Sequence, residues 1–155
     1  MATVSLTRTV NAPIDQVWSS WDDFGAIARF NPNLKGSHLI NSSQVSGLGA
    51  MRQCDMADGK NYVREKVIEY RPHQKLVIDI YESSMPLKKA VASFDFKTRG
   101  QKTDVTMTID FTPKFGVLGQ LMVPLMKPQL RKMQDALLAG NADYVERGIE
   151  VQVAA

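Results

Sequence analysis

The side chains that could attack a bond or relay a proton near neutral pH are few: His38, His73 and Cys54. His38 falls in an expected edge strand and His73 in the turn Arg71-Pro72-His73. Neither is paired with a carboxylate in a way that makes a general base, so both read as exposed residues. Cys54 reads as a small strand residue rather than a reactive thiol, and as the only cysteine it forms no internal disulfide and no CxxC motif. HExxH, GxSxG, GxxxxGK[ST] and GxGxxG are absent, which removes the usual support for zinc-protease, serine-hydrolase, P-loop and Rossmann chemistry. No metal and no cofactor is expected. One carboxylate stands apart. The segment Asn61 to Tyr70 has one face of Val63, Glu65, Val67 and Glu69 and another of Tyr62, Arg64, Lys66, Ile68 and Tyr70. Long polar chains dominate the second, so the first is expected inward, with Glu65 among apolar neighbours. A carboxylate placed there needs a partner, and is suited to anchoring a ligand or to acid/base work. Two other readings stay open: a reversed register, or pairing of Glu65 with Arg52 across the hairpin. Arg52 is the second polar candidate.

These residues must be positioned by the elements around them. Thr3 to Val10 alternates, with Val4, Leu6 and Val10 on one side and Thr3, Ser5, Thr7 and Thr9 on the other, which predicts a half-buried strand. Asn11-Ala12-Pro13 sets a capping residue before a proline suited to a first helical turn. Ile14, Val17, Trp18 and Trp21 follow at helical spacing, and a second short turn is expected from Phe24 to Phe30. Strands are then expected over His38 to Asn41, Ala50 to Met56, Asn61 to Tyr70, Leu76 to Glu82, Ala90 to Thr98 behind Met85-Pro86, and through Val105 to Phe111. Asp58-Gly59 reads as a two-residue hairpin turn. Short connections make this meander mostly antiparallel. Its inner face is expected to carry Leu76, Ile78 and Ile80, then Ala90, Ala92, Phe94 and Phe96, then Val105, Met107, Ile109 and Phe111.

Beyond Thr112-Pro113 the apolar period changes to that of a helix. Leu118, Met122, Met126, Leu130, Met133, Leu137, Asn141 and Tyr144 fall near one stripe, and Pro124 and Pro128 predict a kink or break near residues 123–128. Residues 116–127 are apolar nearly all round, whereas 129–147 have a charged outer face. The whole is an α+β chain: a curved antiparallel sheet of about seven strands around a long C-terminal helix, with two short helices after the first strand. A curved sheet seldom closes fully on one helix, and a cavity is expected between them.

The composition narrows the function classes. The chain has 155 residues, a length that suits one domain, and 19 Lys and Arg against 16 Asp and Glu. The charge is even along the chain, with nine basic and seven acidic residues up to Val77 and ten and nine after it, so no nucleic-acid footprint is expected. The first residues lack a basic segment followed by an apolar run, and the lone thiol suits a reducing compartment, so a cytoplasmic protein is expected. The longest uncharged apolar stretch, Phe115 to Met126, is 12 residues, too short to span a bilayer. Of eight methionines, Met107, Met122 and Met126 fall on expected inner surfaces, as core filler or as the lining of a cavity.

The element order and several phrases carry a resemblance: NAPIDQVWSSWDDFGAIARFNP (Asn11 to Pro32), GLGAMRQCDMADGKNYVREKV (Gly47 to Val67), the proline-led strand at Pro86, and VTMTIDFTP (Val105 to Pro113). With these the chain resembles the START-like superfamily that includes the major birch pollen allergen, and within it the SRPBCC, or polyketide cyclase/dehydrase and lipid-transport, type. The resemblance covers essentially all of residues 1–155 and implies a single domain with a helix-grip fold. It also implies that Phe24, Ile27 and Phe30 border the cavity mouth. At Ala90 and Met107 similar proteins often carry large aromatic residues, so a wider or more plastic cavity is expected here.

The leading expectation is binding of a hydrophobic or amphipathic small molecule, such as a lipid, isoprenoid or polyketide-like compound, between sheet and helix. The candidate lining is Phe24, Ile27, Phe30, Arg52, Glu65, Val67, Ile78, Ile80, Phe94, Met107 and Ile109, with Leu118, Leu121, Met122 and Leu125 as an adjustable lid. One alternative is a cyclase or dehydratase in which Glu65 is the general acid/base. Another is a module of coenzyme Q-binding type whose 116–127 face docks on a partner or a membrane, although the sequence does not specifically indicate membrane contact. A monomer and a homodimer are both compatible with the sequence.

Overall fold

A computed structural model describes residues 1–151. β1 (Ala2–Val10) leads into α1 (Ile14–Asp22) and a 3-10 helix (Phe24–Arg29). Then come β2 (Leu34–Leu39), β3 (Met51–Met56), β4 (Tyr62–Arg71), β5 (Lys75–Ser83), β6 (Leu87–Arg99) and β7 (Lys102–Pro113), and finally α2 (Gly116–Arg147). The strands form one antiparallel sheet in the order β1-β7-β6-β5-β4-β3-β2. Its curved inner face holds α2, which packs along β1 and β7. This is the expected α+β helix-grip architecture.

Alternation decides which face is which. In β7 the buried residues are Thr103, Val105, Met107, Ile109, Phe111 and Pro113, with the intervening side chains turned outward. The outer face of β1 meets β7 in a polar ladder. Thr3 Oγ1 donates to Asp110 at 2.5 Å, Ser5 and Thr108 hydroxyls lie 3.0 Å apart, Thr7 and Thr106 hydroxyls 2.8 Å, and Thr9 donates to Asp104 at 2.6 Å. In β4, Val63, Glu65 and Val67 are buried, which settles the choice of face. A register shift between Val67 and Glu69 then interrupts the alternation, so Tyr70, expected outside, turns in. Its ring lies 5.5 Å from that of Trp18 and its hydroxyl donates to Asp22 at 2.7 Å.

Several local expectations are corrected. β2 begins at Leu34, whose side chain is buried, rather than at His38. Residues 57–61 make the β3–β4 connection as a five-residue loop, not a two-residue turn. Asp58 does not adopt the positive φ that such a turn requires, and its carboxylate instead accepts from the N–H groups of Lys60 (2.8 Å) and Asn61 (2.9 Å). Asn11 caps no helix: α1 starts after Pro13 without a side-chain cap, and the Asn11 N–H donates to Glu146 at 3.0 Å.

α2 continues unbroken through Pro124 and Pro128. The carbonyls that lose a donor, those of Gln120 and Pro124, belong to exposed residues, where solvent is available as a replacement donor. The inward stripe also differs from the expected one. It runs through Gly119, Val123, Met126, Leu130, Gln134, Leu137, Leu138 and Asn141, leaving Leu118 and Met122 outside.

The C-terminal half of α2 is anchored in an aromatic cluster. The Trp21 ring lies 5.1 Å from Phe30 and 4.5 Å from Phe94, and its Nε1–H donates to Asn141 Oδ1 at 3.1 Å. Gly140 lets the helix backbone touch the segment after the 3-10 helix, because a Cβ there would lie 2.0 Å from the Phe30 carbonyl oxygen. Gly140→Ala should therefore destabilise the fold by about 1–3 kcal/mol, as overpacked sites do. Urea unfolding would show this, and an unchanged midpoint would contradict the close approach.

Candidate functional site

α2 covers the β1–β7 side of the sheet, and the rest of the concave face is roofed only in part by the 3-10 helix. Between them lies a cavity of about 110 Å³. Its walls come from Arg52, Cys54 and Met56 of β3, Val63 and Glu65 of β4, Ile78 and Ile80 of β5, Ala90, Ala92 and Phe94 of β6, and Met107, Ile109 and Phe111 of β7. Ile27, Asn31, Asn33 and Leu34 close one side, and Leu130, Met133, Gln134 and Leu137 of α2 another. Met85 and Leu87, before and at the start of β6, complete the lining. Ala90 and Ala92 fill little of the space beneath them, so the lining follows from small residues on a face that is otherwise large and apolar.

Arg52 and Glu65 are cross-strand partners in the β3–β4 ladder. Arg52 Nε donates to Glu65 Oε2 at 2.5 Å and its Nη1 donates to the Phe24 carbonyl at 2.9 Å. The guanidinium carbon stands 3.9 Å from the centre of the Phe24 ring. Only 3% of the Arg52 side chain and 12% of the Glu65 side chain is accessible. The pairing across the hairpin and the inward facing of Glu65, read as alternatives in the sequence, are thus both realised. Cys54 Sγ–H points at Glu65 Oε2 from 3.7 Å. Burial, and after it the Glu65 carboxylate, push the Cys54 thiol well up from its ordinary value. The group therefore stays protonated and is a poor nucleophile.

Gln134 is a further buried polar group in the lining. Its amide nitrogen donates to the Val4 and Met107 carbonyls at 3.1 and 3.2 Å, which fixes the orientation of the amide. Its Oε1 is buried with no hydrogen-bond partner among the described residues. Among the described residues, no three His, Cys, Asp or Glu side chains converge as a metal site.

The structure brings Ile27, Arg52, Glu65, Ile78, Ile80, Phe94, Met107 and Ile109 together around the cavity. Phe24, Phe30 and Val67 are buried behind it: Phe24 supports Arg52, and Phe30 packs between Trp21 and Tyr144. Leu118, Leu121, Met122 and Leu125 are not brought to it. They are 72, 70, 51 and 69% exposed, because the rotation of α2 turns Gly119, Val123 and Met126 inward instead. Both histidines are exposed. Gln134 went unrecognised in the sequence, although an amide four residues after Leu130 lies on the same helical face and was a legible signal.

The family model for polyketide cyclase / dehydrase and lipid transport matches residues 1–146. The chain belongs to that family. Solved structures share its fold at low identity. An aromatase/cyclase, ZhuI, from a Streptomyces species superposes with a TM-score of 0.80 at 16% identity, over 94% of each chain. A START superfamily protein from Mycobacterium smegmatis gives 0.78 at 20%, over 94% of this chain and 97% of the other. A Thermus thermophilus protein gives 0.78 at 18%, over 95% and 99%. No curated protein matches the chain.

The buried ion pair makes a stability prediction. Glu65→Leu leaves the Arg52 guanidinium buried without its counter-charge and should cost about 3–5 kcal/mol, whereas Arg52→Met/Glu65→Leu should recover most of that loss. Denaturant unfolding of the single and double variants measures both. A double variant as unstable as the single one would show that the loss does not come from the stranded charge.

Proposed function

We propose that the chain, as one ligand-binding domain over residues 1–155, holds a hydrophobic or amphipathic small molecule between its sheet and α2, of lipid, isoprenoid or polyketide-like character. The observation that carries this reading is the cavity, which is apolar except for a few polar groups. Burial of ligand surface at about 25 cal/mol per Å² would supply most of the affinity. Arg52 and Glu65 on one wall and the unpartnered Oε1 of Gln134 on another would orient the molecule, the latter favouring a ligand with a hydroxyl or N–H to donate. Family membership and the shared fold support the same class of ligand.

Size adds a constraint. The cavity of about 110 Å³ is well below the roughly 300–1,000 Å³ of ordinary small-molecule sites. A lipid-sized molecule enters only if side chains retract. Met56, Met85, Met107 and Met133, four of the lining residues, are unbranched and repack at low cost.

A second reading is a cyclase or dehydratase that uses Glu65 as its acid/base, favoured by the contact of that carboxylate with the cavity and by the aromatase/cyclase of the same fold. Against it, Glu65 Oε2 is already engaged by Arg52 and Cys54. Under this reading Glu65→Gln abolishes turnover of a polyketide substrate while leaving its binding intact.

Organic extraction of the purified protein with mass spectrometry, and thermal shift against a hydrophobic library, test the binding reading. A co-purified or stabilising apolar compound is expected, and Ala90→Phe should weaken its binding at least about tenfold by filling the cavity, with the circular dichroism spectrum unchanged. No bound compound and no thermal shift would overturn it.

A further inference from the structure

We propose that the exposed apolar face of the first half of α2 docks this protein onto an anionic lipid bilayer. Val117, Leu118, Leu121 and Leu125 are 80, 72, 70 and 69% exposed, with Phe115 beside them at 75%. Val117, Leu121 and Leu125 are four residues apart, and Leu118 and Met122 adjoin them, so they form one continuous face opposite Gly119, Val123 and Met126. A patch of large apolar side chains on one helical face is more than scattered surface exposure and marks a contact surface.

The charge around this face selects the occupant. From Phe111 to Gln134 the chain has no Asp or Glu, but it carries Lys114, Lys127, Arg131 and Lys132. Lys88 and Lys89 lie beside Lys114. Lys89 pairs in register with Thr112, Leu87 pairs with Pro113, and the Lys114 N–H donates to the Pro86 carbonyl at 3.1 Å. Among the described residues none of these six cations takes part in an ion pair. A second copy seated symmetrically on the face would bring this cationic border against itself. An anionic bilayer offers an apolar phase to the leucines and negative headgroups to the lysines at the same time. Among the described residues no helix is long and apolar enough to cross a membrane, so α2 lies in the interface plane rather than through it.

The docking face adjoins the cavity. Leu130 and Met133 follow it on α2, Met85 lies in the neighbouring β5–β6 connection and Leu87 at the start of β6, and all four line the cavity. A docked molecule would present this end of the cavity to the bilayer. That last step alone rests on the ligand-binding reading, whereas docking does not.

Co-sedimentation of the full chain with vesicles tests the proposal, using equal parts phosphatidylcholine and phosphatidylglycerol against phosphatidylcholine alone. Binding to the anionic vesicles should be at least about tenfold tighter and should weaken as salt is raised. Leu121→Asp/Leu125→Asp and Lys127→Glu/Arg131→Glu should each reduce it about tenfold or more, with the circular dichroism spectrum and binding of an apolar fluorescent probe in solution unchanged. Loss of probe binding in the unmodified chain would instead count against the cavity reading. Docking is overturned if the anionic vesicles are not bound at low salt, or if only the charge variant loses binding. A dimer that Leu121→Asp/Leu125→Asp converts to a monomer, without vesicle binding, would overturn it in favour of a second copy.

Discussion

A seven-stranded curved sheet presents more concave surface than one helix can cover, and that mismatch governs the rest of this molecule. α2 lies against β1 and β7, and the 3-10 helix fills part of the space over β2 and β3. What remains over β4, β5 and β6 must be filled by large side chains or left partly open. In β6 the inner face carries Phe94 and Phe96 at one end and Ala90 and Ala92 at the other. The aromatic end packs against Trp18 and Trp21, with Phe94 also reaching the cavity wall, and the alanine end lines the cavity. A single strand thus spans a solid half and a hollow half of the interior, and its side-chain sizes follow that division.

The Arg52–Glu65 pair is intelligible against this background. Two charges in an apolar wall are costly to bury, and replacing both with hydrocarbon is often neutral or stabilising. The Phe24 carbonyl, the Phe24 ring and the Cys54 thiol surround the pair and offset part of that cost. The contact with Phe24 also ties β3 to the 3-10 helix, whose Ile27 borders the cavity. The pair therefore fixes how the roof of the hollow half sits over the sheet. Gln134 does the same on the opposite side, where its amide nitrogen joins α2 to the backbone of β1 and β7.

Strand order and facing were legible in the sequence because they depend on a period of two, which survives wherever alternate residues differ sharply in polarity. Val105, Met107, Ile109 and Phe111 are the clear case, and all four are buried. Alternation failed at Tyr70, where a register shift that leaves no mark in composition exchanges the two faces. The β3–β4 loop was misread because Asp58 chose a side-chain bond to the backbone over the paired positive φ that its dipeptide suggested. In α2 the difficulty was of another kind. Where residues are apolar on every side, periodicity cannot say which stripe faces in, so Leu118, Leu121, Met122 and Leu125 looked as suited to the cavity as Val123 or Met126. The small residue that marks the true inner line, Gly119, carries no hydrophobic signal. A Cβ there would lie 1.9 Å from the Lys114 carbonyl oxygen.

The rotation of α2 is set far from that ambiguous segment. As one continuous helix it turns as a unit, and its C-terminal half is fixed by Asn141 on Trp21, by Gly140 against Phe30 and by buried Leu137 and Leu138. Turning Leu118 and Leu121 inward would swing Gln134, Leu138 and Asn141 out of their contacts, exposing apolar surface and stranding buried polar groups. The outward face of the first half is therefore imposed by the second half. Its position explains why those residues meet water but not why they are valine, leucine and methionine, since Lys, Glu or Gln would keep the same helix at no loss of packing. The apolar character of that face is a property the fold does not require, and a surface contact accounts for it where core packing does not.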